Sequence, residues 1–422
     1  MNRLVVCVVL AVCATAAAGY QASLTGSGAR AMGMGGAFIA VADDATAISW
    51  NPAGLTRLDM PELGAAVTFG SGSWDLSLGD AFVEDFDLDI EIDSKLTLNF
   101  ASAVYPLKLG ERHAVAAVAY RRYWDFTQKT TQTFAYTDDI MVDVDQDGYW
   151  DGYTDREKYV NDIAGAVAAV TPAFAVQLSP MLSVGATASV MMGGRSATSE
   201  YSVNYHDDFG YEDTYIEETE STNGYSGFTA ELGLLADLSP RFKVGAVASL
   251  PWTLTIKDNE IDGVPAGEDA DQKLPAVFGA GLALKPAQQM TVAFDVRQHA
   301  WSKVEYNGEE QNWPDATVLR GGVEYILIGQ SAVIPLRAGY FIEPLPEKEI
   351  TGYDEFTGEL IYGDQLKNKA FTLGAGLLMG RITLDACFTR TTLTYDDNYG
   401  ENTLTDNAFT ISTVVHLGPS EE

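Results

Sequence analysis

From residue 61 onward, apolar and small residues alternate with polar ones in stretches closed by turn-forming residues. Along 290–303, for example, Val292, Phe294 and Val296 alternate with Asp295, Arg297, His299 and Trp301. A period of two places alternate side chains on opposite faces of a strand. The pattern predicts fourteen strands, near 61–71, 95–106, 113–124, 163–178, 182–193, 224–238, 241–255, 273–286, 288–304, 318–328, 333–342, 368–379, 381–392 and 407–417. Connections between them alternate strictly between short, such as Lys108–Arg112 and Ser179-Pro180-Met181, and long, such as Asp125–Asp162 and Glu343–Lys367.

Short turns at one end and long loops at the other mark an outer-membrane barrel, whose strands need only roughly 9–11 alternating residues to cross the bilayer. After the first residues no apolar run approaches the ~20 that a spanning helix needs. A chain spanning a membrane without helices must close on itself, since lipid offers no partner for an open sheet edge. The expected fold is therefore all-β: a 14-stranded antiparallel transmembrane β-barrel. A propeller would show a blade repeat, and none is visible.

Alternation also assigns faces. Charges are costly against lipid, so Asp295, Arg297, Arg320, Glu324, Arg337 and Asp385 are expected in the lumen, with Trp301 on the same path. A salt-bridge lattice bracing the wall is a more ordinary use of such charges than ligand contact. Tyr105, Trp124, Trp252, Trp301, Tyr325 and Tyr340 fall near strand ends, where interfacial aromatics belong. Pro172, inside the fourth strand, cannot donate to the ladder and is expected to mark a bulge.

Two stretches break the pattern. Residues 1–18 carry Arg3, an apolar run from Leu4 to Val12 and then Ala16-Ala17-Ala18, which reads as a secretory signal peptide. Residues 26–58, GSGARAMGMGGAFIAVADDATAISWNPAGLTRL, are rich in Gly and Ala and carry the pair Asp43 and Asp44. Small residues let backbones approach closely, and Asn51-Pro52-Ala53-Gly54 reads as a turn. That suits a compact segment packed inside something else: an N-terminal hatch over 19–58, followed by a barrel over 59–422. No Gly-x-Gly-x-x-Gly opens a helix after a strand here, so a nucleotide loop is unsupported.

The segment resembles the hatch of the outer-membrane hydrophobic-compound transporters typified by the long-chain fatty acid transporter FadL and its toluene-uptake relatives. Three pieces carry the resemblance in order and spacing: 28–37 (GARAMGMGGA), 42–47 (ADDATA) and Asn51-Pro52-Ala53-Gly54-Leu55. Further matches are Lys273-Leu274-Pro275-Ala276 and the run from Asp295 to Trp301-Ser302-Lys303. The resemblance implies fourteen strands and passive uptake of fatty acids or other hydrophobic small molecules across the bacterial outer membrane. It further implies a hatch gated around Asn51-Pro52-Ala53-Gly54, with Arg30, Asp43 and Asp44 joining the lumen lattice. Family members are thought to release ligand sideways, beside a kinked strand that meets the Asn-Pro-Ala turn. The third strand here has neither Gly nor Pro to mark a kink, which leaves Pro172 as the expected irregularity near that turn. The shuttle protein of the type IX secretion system resembles the same fold, so a secretion scaffold binding protein partners is the alternative.

Composition narrows the rest. The formal charge of −33 disfavours nucleic acid, whose phosphates it would repel. With Cys7 and Cys13 in the signal stretch only Cys387 remains, and it has no neighbours at metal spacing. Four scattered histidines and the lack of a Gly-x-Ser-x-Gly elbow give no support to an enzyme; His299 with Asp295 is the best pair available. Residues 143–155 form one candidate metal site: Asp143, Asp145, Asp147 and Asp151 stand at positions one, three, five and nine of an EF-hand-type loop, with Gly148 at six and the Tyr149 carbonyl at seven. The Glu at twelve is replaced by Thr154, with Asp155 one place later. A Ca2+ ion there would rigidify an exposed loop, and no other cofactor is expected.

Overall fold

The computed structural model describes residues 27–75, 87–93, 96–142, 151–207, 212–330, 332–353, 360–397 and 400–418. The signal stretch lies outside them, as do Asp143, Asp145, Asp147 and Tyr149 of the acidic run. Asp151 and Asp155 fall within a β-strand, so the last third of the expected calcium loop is strand.

Among the described residues, fourteen strands form one antiparallel ring. In chain order they are β1 (Glu62–Asp75), β2 (Thr97–Leu109), β3 (Arg112–Asp125), β4 (Asp151–Ser179), β5 (Leu182–Asp207), β6 (Glu212–Ser239), β7 (Phe242–Ser249), β8 (Val277–Ala287), β9 (Met290–His299), β10 (Ala316–Ile328), β11 (Val333–Tyr353), β12 (Leu360–Met379), β13 (Ile382–Asp397) and β14 (Gly400–His416). Each pairs with the next. The register from Glu62↔His416 to Asp75↔Thr403 then joins β1 to β14 and leaves the ring without an edge.

At one end the turns are tight, as at Gly110 and Gly380, whose positive φ values of 64° and 58° suit a residue without Cβ. At the other end the wall grows taller on one side. Strands β4, β5 and β6 run for 29, 26 and 28 residues. Two further strands, Asp87–Asp93 and Gln128–Val142, pair beside them. Much of the expected loops Asp125–Asp162 and Arg195–Asn223 is thus strand. Charged residues interrupt the apolar period there and hide it from pattern reading. The backbone still finds its hydrogen-bond partners in a neighbouring strand, and Thr, Tyr and Val favour that state.

Three neighbouring strands break at one level. β7 stops at Ser249 and the chain resumes as Trp252–Ile261; Ala270–Leu274 stops before β8 begins at Val277. The register is kept across the gap, Ser249↔Val277 on one side and Trp252↔Leu274 on the other. Pro251 and Pro275 stand between and have no N–H to give to the ladder. β9 ends in a 3-10 turn, Trp301–Lys303. At Pro172, by contrast, the register of β4 with both neighbours passes unshifted and the side chain is exposed. The expected bulge is not there; in the β3–β4 pairing it lies between Arg122 and Trp124. A proline whose missing N–H falls in an otherwise aligned strand need not add a residue to it.

Outward positions carry exposed Phe69, Phe278, Phe294, Leu336, Leu373 and Phe409, while Thr291, Asp295, Glu324, Arg337, Thr372 and Asp385 are buried on the other face. Among the described residues no helix is long and apolar enough to cross a membrane. The inward faces surround residues 27–58, whose short helices Ala29–Gly33 and Ala47–Trp50 and 3-10 turn Pro52–Arg57 touch strands on all sides of the ring.

Candidate functional site

The interior has two storeys, a filled one at the level of the inner segment and an open one above it. In the filled storey, wall glycines bring backbone against backbone. A Cβ at Gly339 would stand 2.1 Å from the Gly35 nitrogen, and one at Gly185 would stand 2.4 Å from the Pro52 carbonyl carbon. No larger residue fits at either position without moving the segment.

Charge fixes the segment further. Arg30, on the first short helix, meets Asp43 and Asp44 within the segment and Glu324 on β10, the last through Nε–Oε2 at 3.1 Å. Glu324 also takes Arg337 Nε at 2.7 Å, and Arg337 Nη1 reaches Asp385 Oδ1 at 2.5 Å. Glu324, Arg337 and Asp385 are 3%, 5% and 6% exposed, so each charge depends on its neighbours for compensation. Asp295 plays another part. Its Oδ2 accepts the Phe38 and Ile39 amides at 2.6 and 2.8 Å, and it makes no pair with His299. Asp295 of the best enzyme-like pair in the sequence is therefore occupied in holding the segment.

Asn51 is the knot of the turn. Its Oδ1 accepts the Ala53 amide at 3.1 Å, while Nδ2 donates to the carbonyls of Ile39 (2.8 Å) and of Leu234 on β6 (2.9 Å). Pro52 opens the 3-10 turn, where its missing N–H costs nothing. Gly54 approaches Ala42 so closely that a Cβ would stand 2.3 Å from the Ala42 oxygen. The turn abuts Gly185, Gly233 and Gly245 on β5, β6 and β7.

Above the segment lies a cavity of about 530 Å3. Trp50 belongs to its floor, and Trp124, Phe126, Tyr225, Trp252, Leu254, Leu274, Pro275, Trp313 and Leu345 give it apolar walls. Trp124 and Trp252, expected at the outer girdle, face each other inside at 6.0 Å between ring centroids. The bulge in β3 and the proline break in β7 and β8 turn these rings inward. Trp301 also lines the cavity, stacked on His299 at 5.3 Å.

Polar groups cluster near the floor. Arg297 and Arg320 lie over the Trp50 ring at 5.6 and 5.7 Å, and Arg320 pairs with Glu343 at 3.3 Å. Arg121, not singled out in the sequence, donates to the Ile48 carbonyl at 2.9 Å and packs over Tyr123. The alternation used for β9 would have found it, since it interrupts an Ala-rich inward face of β3. Among the described residues no cluster of three metal-ligating side chains occurs.

No family model and no curated protein matches the chain. Solved structures do. The P. putida toluene transporter TodX aligns over 94% of this chain and 100% of its own, with 14% identity and a TM-score of 0.56. The monoaromatic hydrocarbon channel CymD aligns over 94% and 99%, with 16% identity and a TM-score of 0.55. A Pseudomonas aeruginosa FadL homologue aligns over 93% and 98%, with 13% identity and a TM-score of 0.50. At these identities the likeness establishes a shared fold, the one that the residues at 28–55 resemble.

Proposed function

We propose that this chain is an outer-membrane channel for passive uptake of hydrophobic small molecules, with long-chain fatty acids or aromatic hydrocarbons as cargo. The observation that carries the reading is the apolar cavity seated directly on a tightly held inner segment. An apolar molecule leaves water for that cavity because burying its surface is favourable, at roughly 25 cal/mol per Å2. Residues 27–58 then act as the hatch, and the span from Ile48 to Gly54 is the part that yields. Outward Phe and Leu side chains belong against lipid, and Arg30, Glu324, Arg337 and Asp385 anchor the rest of the hatch. The aromatic cavity favours transport over a secretion scaffold, which needs no apolar compartment. TodX and CymD, described as a toluene transporter and a hydrocarbon channel, are consistent with this.

Native mass spectrometry with lipid extraction of the detergent-purified protein tests the reading. Bound fatty acid or hydrocarbon, depleted in the Asn51→Ala/Pro52→Ala variant, is the expected result. An empty cavity with a co-purifying protein would favour the scaffold. The Ca2+ loop over 143–155 is a separate proposal; calorimetric titration should show binding that disappears in Asp145→Ala/Asp147→Ala.

A further inference from the structure

The chain is strongly acidic, with 59 Asp and Glu against 26 Lys and Arg, but the acids are not spread evenly. At the open end, the connection over 250–276 carries Asp258, Glu260, Asp262, Glu268, Asp269 and Asp271 against Lys257 and Lys273. The tight-turn end has the opposite sign. Lys108 and Arg112 flank the β2–β3 turn, Arg241 lies on β6–β7, Lys285 on β8–β9 and Arg381 on β12–β13, and all are exposed. The turns β4–β5 and β10–β11 carry no charge. Among the described residues, none of these basic side chains has a carboxylate within ion-pair distance. Of the acids at this end, Asp237 is held by Arg57, and Glu62 is buried with an oxygen 2.9 Å from His416 Nδ1. Asp59 and Glu111 are exposed.

The basic side chains stand among apolar ones that face outward. Leu109 follows Lys108, Leu284 precedes Lys285, Leu238 comes shortly before Arg241, and Met379 and Ile382 bracket Arg381; all these apolar side chains are exposed. Such residues belong against hydrocarbon, which puts the charges at the level where hydrocarbon gives way to headgroups. Lys and Arg reach that level by laying their apolar stems along the apolar surface. The charges are also distributed around the ring, with β2–β3 and β8–β9 on nearly opposite sides of it. A compact partner meets one or two of them. The leaflet that surrounds the barrel meets all.

We propose that this rim binds the headgroups of anionic phospholipids, so that the barrel gathers negatively charged lipid around its turn end. A phosphate accepts charge-assisted hydrogen bonds from ammonium and guanidinium groups, and a negative lipid surface attracts each Lys or Arg held near it. The acidic open end repels the same headgroups, so the preference belongs to one end only. The identity of the leaflet rests on the outer-membrane reading, in which short turns face the periplasm.

The test places full-length protein in phosphatidylcholine bilayers containing a minority of phosphatidylglycerol. Electron spin resonance then compares spin-labelled forms of the two lipids, of equal chain length, for association with the barrel surface. At low salt each favoured position should take phosphatidylglycerol about fivefold more readily, the equivalent of about 1 kcal/mol. Raising the salt to 1 M should weaken the preference, since exposed charges are screened. The combined variant Lys108→Gln/Arg112→Gln/Arg241→Gln/Lys285→Gln/Arg381→Gln should abolish it. Lys257→Gln/Lys303→Gln, which removes bases from the open end, should leave it intact and controls for total charge. Equal association of the two lipids, or a preference that survives the combined variant, overturns the proposal while leaving uptake standing. An acidic protein that co-purifies, is lost in the combined variant and comes without any lipid preference overturns it in favour of a protein partner. Failure to enter either bilayer overturns the membrane reading itself.

Discussion

The two storeys of the lumen are built from the same strands and differ in what fills and braces them. Between the inner segment and β9–β14, Glu324 stands between two arginines, and Asp295 Oδ2 accepts two backbone amides. In the cavity, Arg297 Nε, Arg320 Nε, His299 Nδ1 and one Glu231 oxygen are buried without a hydrogen-bond partner. A buried polar group costs free energy unless it is satisfied, and Asp295 Oδ1 shows that the lower level carries such atoms too, so the levels differ chiefly in the ion pairs that brace the lower one. Below, ion pairs brace the segment; above, aromatic side chains surround open space.

That contrast can be broken most severely at Glu324. Glu324→Ala leaves Arg30 and Arg337 facing each other, and breaking a buried pair costs about 3–5 kcal/mol. A lower denaturation midpoint in detergent should report it. Gly339→Leu should cost about 1–3 kcal/mol by overpacking against Gly35, and heat modifiability on gels will show how much of the population still seats the hatch. Asn51→Ala removes two donors and an acceptor, each net contribution being about 1 kcal/mol, and should raise proteolysis around Gly54. A substitution in the cavity should act differently. Trp252→Ala opens space already continuous with a cavity, so it should shift selection toward bulkier probes, read by competition binding, with a smaller loss of stability than Glu324→Ala.

The smallest expected effect lies at the rim. Asp315 accepts the Ser302 amide at 2.9 Å, and that bond holds its carboxyl below the ordinary carboxylate range. A depressed folded-state pKa gives stability that is present above the unfolded value, about 3.9, and lost as pH falls through the lower folded value. Trp301 emission should therefore stay constant from neutral pH to about 4 and change only in stronger acid. Asp315→Asn should flatten that change.

Much of the wall was readable because alternation is a local property. Val292 and Phe294 point out and Asp295 points in, as the period of two requires. The Gly- and Ala-rich composition of residues 27–58 likewise pointed to close packing, which Gly35 against Gly339 and Gly54 against Ala42 display. What escaped were features set by neighbours remote in sequence. Trp124 and Trp252 look like girdle residues until the bulge in β3 and the opposed Pro251 and Pro275 turn them toward each other. Pro172 carries the same chemical signature as Pro275 and yet leaves its register untouched, because the outcome depends on the neighbouring strands. Arg121 and Arg297 could be placed on the inward face, but their hold on the Ile48 and Trp50 carbonyls is visible only in three dimensions.

Residues 27–58 come first among the described residues, and several of their partners come last. Asp295 and Phe38 are 257 positions apart, Arg30 and Glu324 are 294 apart, and Ala29 meets Ser412 across 383. Contacts between such distant parts of a chain form slowly, since the loop must close before they contribute anything. Until β9–β14 exist, Arg30 lacks Glu324 and the Phe38 and Ile39 amides lack Asp295. Residues 27–58 must therefore wait for the ring to be completed around them before all their partners are in place, and their full seating is a late event in assembly.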